Sequence, residues 1–353
     1  MHCPKIEAAV IAAFSAVGVG TVSYFVVRIL KLAAVYVRPS RLHRYAHRGP
    51  TGDEPWAMVT GASAGVGRAL VQELAGRGFN VVLHGRNHAK LSGVRSELQA
   101  SFPGRTFRIV VADAEAVASK TQQQQQQQQQ HGSNAGPSPV DFEAIRRDLD
   151  DIRLTVLINN AGGGTFDPVY QPLQEAGEAS VTGNVSLNAL FPWHLSRVLL
   201  PNLVRHAPSV VVNVSSMADS GLPLIATYGA GKAFLMCATR ALRLEMAMME
   251  EDAGAGAGVE VLGVRLSKVT GARDYTEAPS TFMPDAGTMA RSILDRVGYD
   301  NGVVAAYWAH ALQDVVMGII GALPQAVGDK VAITAMHKQR EELDGPVKPV
   351  KQT

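Results

Sequence analysis

Cysteine is almost missing. Among 353 residues only Cys3 and Cys237 carry thiols, one beside the hydrophobic N-terminal segment and the other deep in the chain. That excludes a disulfide framework. Neither lies in a group of His or Cys at metal-ligand spacing, so no metal site is expected. Charge is scarce as well: charged residues make up 18% and the formal net charge is +2, which gives no case for a nucleic-acid partner. The apolar fraction, 46%, is enough for a sizeable core, and the length suits one large domain or two small ones.

A hydrophobic stretch lacking charge runs from Ala8 to Val27. As a helix it spans about 30 Å, the thickness of a bilayer core. Tyr24 and Tyr36 suit headgroup depth, and Arg28, Lys31, Arg38, Arg41, Arg44 and Arg48 follow the run, whereas only Lys5, beside Glu7, precedes it. This distribution predicts an N-terminal membrane-anchor helix with a basic juxtamembrane segment over residues 1–48, a membrane partner, and a following domain in the cytosol. A cleaved signal peptide would want its positive charge ahead of the apolar run. A buried helix is the competing expectation, because Gly18, Gly20, Thr21 and Ser23 dilute the run.

Beyond a polar linker, Trp56–Thr60 reads as a strand that runs into Gly61-Ala62-Ser63-Ala64-Gly65-Val66-Gly67 and then a helical pattern over Arg68–Arg77. Strand, glycine turn and helix form the context of a dinucleotide site. The glycines let backbone N–H groups approach a pyrophosphate at a helix N-terminus. Phe79–His84 is a second strand, followed by Gly85-Arg86-Asn87. An acid at this place would suit a ribose hydroxyl; Arg86 suits a 2′-phosphate and favours NADP(H). Thr106–Val111 is a third strand ending at Asp113, a residue that serves equally well as a helix cap. Residues 114–140, with an unbroken glutamine run at Gln122–Gln130, read as a disordered surface insert.

Leu154–Ile158 is an apolar strand ending in Asn159-Asn160-Ala161-Gly162. A helix predicted over Ser180–Leu203 carries Asn184 and Asn188, and the strand Ser209–Val214 closes on Ser215-Ser216. Next comes Tyr228-Gly229-Ala230-Gly231-Lys232. A tyrosine and a lysine four apart share one helix face, and an ammonium there is expected to lower the phenol pKa.

Thr-Gly-x3-Gly-x-Gly, Asn-Asn-Ala-Gly, Asn, Ser and Tyr-x3-Lys, in that order, resemble the short-chain dehydrogenases/reductases, from about Trp56 to Glu342. Within them the likeness is nearest to the very-long-chain 3-oxoacyl-CoA reductase branch and its relatives, the 17β-hydroxysteroid dehydrogenases of types 3 and 12. Tyr36–Tyr45, Gly78–Leu83, and Ala309–Leu312 through Ile319–Pro324 carry that narrower match.

The resemblance implies a doubly wound parallel α/β sheet of the Rossmann type over 54–342, order 3-2-1-4-5-6-7, preceded by the anchor and ending in a flexible tail at 343–353. It implies an NADP(H) site at Gly61, Ser63, Gly65, Val66, Gly67, Arg86, Asp113, Asn160, Ala161 and Gly162, with Tyr228 and Lys232. Tyr228 would give the proton, Lys232 would hold the nicotinamide ribose, Ser216 would bind the carbonyl oxygen, and Asn188 would support a water relay.

The Leu200-Pro201 pair selects Asn188, with Asn184 as alternative. Relatives place the serine thirteen residues before the tyrosine, which fits Ser215; strand position fits Ser216, which is preferred. Relatives also have a proline after the sixth strand (Val259–Val264), where this chain has Arg265-Leu266-Ser267-Lys268-Val269-Thr270-Gly271. Tyr275, Phe282 and Met283 are candidate lid residues.

The implied activity is a membrane-anchored, NADPH-dependent reduction of long-chain 3-oxoacyl-CoA at the endoplasmic reticulum membrane. A lipid-like substrate, a homo-oligomer and other fatty-acid elongation enzymes are the implied partners. A 17β-ketosteroid or other lipid-ketone reductase and a catalytically quiet NADP-binding scaffold are the rival readings.

Overall fold

The structure, a computed structural model, describes residues 4–117, 139–164, 167–254, 258–272, 275 and 277–344. The glutamine run and the tail beyond 344 lie outside the described residues. The chain divides into two compact units, Met1–Ser40 and Arg41–Thr353.

The larger unit is built on seven parallel strands in the order β3-β2-β1-β4-β5-β6-β7. They are β1 (Pro55–Thr60), β2 (Asn80–Gly85), β3 (Phe107–Val111), β4 (Arg153–Asn159), β5 (Ser209–Ser216), β6 (Val259–Leu266) and β7 (Val303–Ala305). Every residue of β1 and β2 is buried. Their apolar side chains do not alternate with polar ones because helices cover both faces of the sheet.

In the first unit α1 spans Pro4–Val37; in the second, α2 (Gly65–Gly76), α3 (His88–Ser101), α4 (Phe142–Asp148), α5 (Glu178–Val185), α6 (Phe191–Arg205), α7 (Ala226–Ala253), α8 (Ala286–Leu294), α9 (Trp308–Gly321) and α10 (Gln325–Asp344) follow in order. Successive side chains of a strand point to opposite faces. Ala57 and Val59 therefore pack with Leu70, Leu74 and Ile293 from α2 and α8. Met58, from the same strand, packs in the other layer with Leu157, Leu195 and Leu242. Helix starts are fixed by side chains: Asn87 Oδ1 accepts from Lys90 N at 3.0 Å, Asp141 Oδ1 from Ala144 N at 2.9 Å and Asp285 Oδ1 from Thr288 N at 2.9 Å. Each cap is worth about 1 kcal/mol. The strand order reverses at β1 and β4, which opens a crevice at their C-terminal ends.

Two expectations need correction. The helix expected as one piece over Ser180–Leu203 is interrupted by a π-helical turn at Ser186–Leu190 between α5 and α6. Pro192 has no N–H to return to the preceding turn, and Phe191 N bonds Ser186 O five residues back. The membrane anchor is the second. Among the described residues no helix is long and apolar enough to cross a membrane. Through 14–24 of α1, Ser15, Gly18, Gly20, Thr21, Ser23 and Tyr24 interrupt the apolar side chains, and Thr21 Oγ1 donates to Val17 O at 2.8 Å inside the helix. The membrane partner and the endoplasmic-reticulum membrane location fall with the anchor that carried them.

From Arg41 onward the basic stretch after α1 belongs to the larger unit. Leu42 and Tyr45 are buried in its core. Tyr45 donates its hydroxyl to Glu260, a carboxylate that also accepts from Gly298 N, Tyr299 N and Asp300 N, and Thr155 Oγ1 donates to Tyr45 O at 2.7 Å. Burial pushes the Tyr45 phenol well above its ordinary value, so it remains a donor.

Candidate active site

At the crevice two turns press together. Gly61 (φ +69°) and Gly65 (φ +51°) take backbone conformations that other residues resist. A Cβ on Gly67 would stand 2.1 Å from Gly61 O and 2.7 Å from Asn160 Nδ2. Thr60 Oγ1, at the end of β1, accepts from Asn160 N and Ala161 N, both at 2.9 Å, and Asn160 Nδ2 donates to Thr60 O at 2.9 Å. Beneath them Asn159 Nδ2 donates to Ser196 Oγ at 2.9 Å and Asn213 Oδ1 at 2.7 Å, tying β4 to α6 and β5. Ser63 is half-buried and Val66 buried in the same turn.

Ala64, which caps α2, makes no side-chain hydrogen bond to the helix start. The helix therefore presents its positive end, without a side-chain acceptor from its cap, beside glycines that admit close approach. This is a cradle fitted to a pyrophosphate. At the end of β2 the Arg86 guanidinium is 63% exposed and donates from Nη1 to Glu115 Oε1 at 3.0 Å. It fits a phosphate on the ribose. Asp113 Oδ1 accepts from Glu115 N at 3.1 Å and so shapes the turn that carries that carboxylate.

Deeper in the crevice, Ser216, at the end of β5, accepts from Ala218 N at 3.2 Å and stands near enough to Tyr228 to draw its phenol pKa down. Ser215 points elsewhere: its Oγ donates to Asp219 Oδ2 at 3.3 Å. Lys232 is 3% exposed, donates from Nζ to Val214 O at 2.8 Å and lies 5.9 Å from the Tyr228 ring centre. A Cβ on Gly162 would stand 2.6 Å from Lys232 Nζ and 3.0 Å from Asn188 Oδ1, so the Asn-Asn-Ala-Gly turn abuts both. Asn188 is fully buried in the π turn. It accepts from Gly163 N at 3.1 Å and donates to Gly163 O and Asn184 O, both at 3.0 Å. Asn184 is also fully buried and donates to Gly163 O at 3.4 Å.

Burial pushes the Tyr228 phenol up, and the charge of Asp219 and the neighbouring Tyr170 add to the rise; Ser216 opposes it. The sequence-based expectation of a lowered phenol pKa is corrected. Burial also depresses Lys232, to about 8, with Asp219 pulling the other way. The ammonium bonds to a carbonyl of β5, and the phenol stays protonated at neutral pH.

Four residues around this centre carry no sequence motif. Tyr170 is 4% exposed, donates to Gln339 Oε1 at 3.1 Å and has Tyr275 Oη 3.4 Å away. Asp219 follows Ser216 in a 3-10 turn, Met217–Ser220, and accepts from Arg265 Nε at 2.9 Å. Arg265, expected in the loop noted only for its lack of proline, is the next-to-last residue of β6, which runs on to Leu266. These partners lie far apart in sequence, and only the absent proline was a signal. Of the other lid candidates, Phe282 is 49% exposed and Met283 half-buried. Beside the Ser216 turn a cavity of about 560 Å³ opens between that turn, α9 and α10, with Met217, Leu222, Met317, Ile320 and Leu323 on its apolar side.

Comparison with known proteins agrees with this geometry. The family profile described as short chain dehydrogenase matches residues 55–136 and 141–259. A very-long-chain 3-oxoacyl-CoA reductase of Caenorhabditis briggsae is 29% identical over 277 residues, covering 78% of this chain and 78% of its own. One from Aspergillus terreus is 27% identical over 290 residues, covering 80% and 72%. Among solved structures, a short-chain dehydrogenase from Sphingobium yanoikuyae in complex with NADPH superposes with a TM-score of 0.53 at 23% identity, covering 77% of this chain and 97% of that one. At that identity it supports the fold.

Proposed function

The chain belongs to the short-chain dehydrogenase family and is an NADP-dependent oxidoreductase; on that premise we propose that it reduces the ketone of a lipid-related substrate, with Tyr228 as proton donor. The observation that carries this proposal is the gathering of Ser216, Tyr228 and buried Lys232 at the C-terminal end of β5, with Lys232 Nζ on Val214 O and 5.9 Å from the Tyr228 ring centre. NADPH supplies the hydride when bound.

This chain's residues do the rest. The Gly61–Gly67 cradle and the α2 N-terminus would hold the pyrophosphate, and Arg86 would bind the 2′-phosphate in place of Glu115. Asp113 shapes the turn that carries Glu115. Asn160, Ala161 and Gly162 would contact the cofactor from the turn after β4. Ser216 donates to the carbonyl oxygen, where negative charge grows, and Tyr228 donates its proton to the same oxygen. Lys232 stands behind Tyr228, and Asn188, locked to Gly163, holds the path along which a proton returns. A phenol kept protonated by burial suits the reducing direction.

For the substrate, the apolar side of the cavity and the names of the two relatives both support a long-chain 3-oxoacyl thioester. The test is NADPH consumption by the full chain across 3-oxoacyl-CoAs of rising length, with a steroid ketone alongside. Rates that climb with acyl length support the assignment. Turnover of the steroid alone, or of neither, contradicts it.

A further inference from the structure

Arg265 occupies the C-terminal edge of β6, in register with Ser215 of β5. In a parallel pair such neighbours send their side chains to the same face. Both reach one atom: Asp219 Oδ2 receives Ser215 Oγ at 3.3 Å and Arg265 Nε at 2.9 Å. The other end of the guanidinium grips α9, where Nη1 donates to Asp314 Oδ1 at 3.0 Å and Oδ2 at 3.3 Å. Asp219 is 3% exposed, Arg265 31% and Asp314 40%. Among the described residues lining the cavity, Arg265 is the only cation, and Asp219, Asp314 and Asp329 are the carboxylates.

The 3-10 turn that holds Asp219 does two further things. Its Ala218 N donates to Ser216 Oγ, and its Ala218 O closes on Gly229 in the first turn of α7, where a Cβ would meet it at 2.7 Å. Gly229 adjoins Tyr228. One turn thus touches both Ser216 and the residue that adjoins Tyr228, and one arginine holds the turn.

We propose that Arg265 is a positioning residue for the reduction: through Asp219 it fixes the turn that sets Ser216 against Tyr228, and through Asp314 it fastens that turn to the helix walling the cavity. The proposal rests on the assignment of Tyr228 as proton donor. Its electrostatic side follows from who faces whom. Tyr228 is faced by Asp219, Tyr170, Ser216 and Lys232; Asp219 is faced by Arg265, Asp314 and Ser215. Burial raises the Asp219 carboxyl, and Arg265 counters this. Without the guanidinium, the charge of Asp219 bears more strongly on Tyr228, with only Ser215 and Lys232 left to oppose it.

The experiment compares the full chain with Arg265→Gln, Arg265→Lys, Arg265→Gln/Asp219→Asn, Asp314→Asn and Tyr228→Phe. The probes are 3-oxopalmitoyl-CoA for reduction and 3-hydroxypalmitoyl-CoA with NADP⁺ for oxidation, with a melting curve for each variant. Arg265→Gln is expected to lose at least about tenfold in kcat, by misplacing the Ser216–Tyr228 pair by a fraction of an ångström. Its NADPH affinity is expected to stay unchanged.

Oxidation needs tyrosinate, so in Arg265→Gln its alkaline limb moves to higher pH; in the double variant it returns. Arg265→Lys recovers part of kcat. Asp314→Asn keeps the Asp219 bond and raises KM for the thioester with kcat nearly intact. It serves as the folded test if Arg265→Gln melts early: an unchanged KM there overturns the link to α9. Wild-type kcat and pH profile in Arg265→Gln beside an inactive Tyr228→Phe overturn the proposal alone. A fully active Tyr228→Phe overturns the assignment of the acid, and the proposal with it.

Discussion

Around Gly61 backbone meets backbone at van der Waals limits, whereas around Asp219 charged side chains meet from elements 46 and 49 residues apart along the chain. The cofactor side tolerates no added atom at Gly67 because the opposing atom is a carbonyl that cannot swing away. The substrate side has a cavity, exposed apolar residues on α9 and α10, and ion pairs that can re-form. One side is specified by the shape of the main chain, the other by a few long side chains, and they should break in different ways.

The largest contrast is expected between two glycines. Gly67→Ala drives its Cβ into Gly61 O, at a cost of about 3 kcal/mol or more, and NADPH titration should find binding weakened at least about 100-fold. Gly221→Ala, in the turn beside the cavity, meets open space, and only its φ of +85° opposes it. Its ψ of 107° lies outside the left-handed helical region, so thermal melting should register about 1–3 kcal/mol, with NADPH binding kept. Equal losses at the two positions would break the contrast.

Lys232 sits where the two sides join, and its contribution depends on pH. Its folded pKa, about 8, lies below the 10.5 of an ordinary lysine. Between these values the unfolded chain binds the extra proton, so stability rises with pH through that window. Denaturant unfolding of the cofactor-free chain should show the wild type gaining about 3 kcal/mol over Lys232→Met from pH 8 to pH 10.5. A flat difference would contradict burial of the ammonium.

Effects at the outer cofactor edge should be smaller. Arg86→Ala removes the charge-assisted bond available to a 2′-phosphate, about 2 kcal/mol, so NADPH affinity falls about 30-fold while NADH affinity holds. Glu115→Gln frees Arg86 from an exposed ion pair and should tighten NADPH by no more than about threefold. Both are read by fluorescence titration.

What could be read in advance follows the same division. The two turns and Tyr228-x3-Lys232 are local patterns that keep their chemistry within a few residues, and the strand order followed from the family resemblance they carry. The π turn was hidden because its cause, Pro192, looks like an ordinary helix-start proline. Tyr170 and Gln339 are 169 residues apart, and no spacing rule links them. Arg265 was visible only as a missing proline. The direction of the Tyr228 shift was misjudged because a Tyr–Lys spacing says nothing of burial, and burial is the larger effect here. The N-terminal run was read from its lack of charge, while the polar and small residues within 14–24 decide its apolarity.

The most direct measurement is the single-turnover reduction of 3-oxopalmitoyl-CoA by wild type and Tyr228→Phe, each first shown by fluorescence to bind NADPH equally. The wild type should form 3-hydroxypalmitoyl-CoA in step with NADPH oxidation, and Tyr228→Phe should be slower by about 100- to 10,000-fold, the range for loss of a positioned acid. Equal rates in the two would contradict Tyr228 as the proton donor.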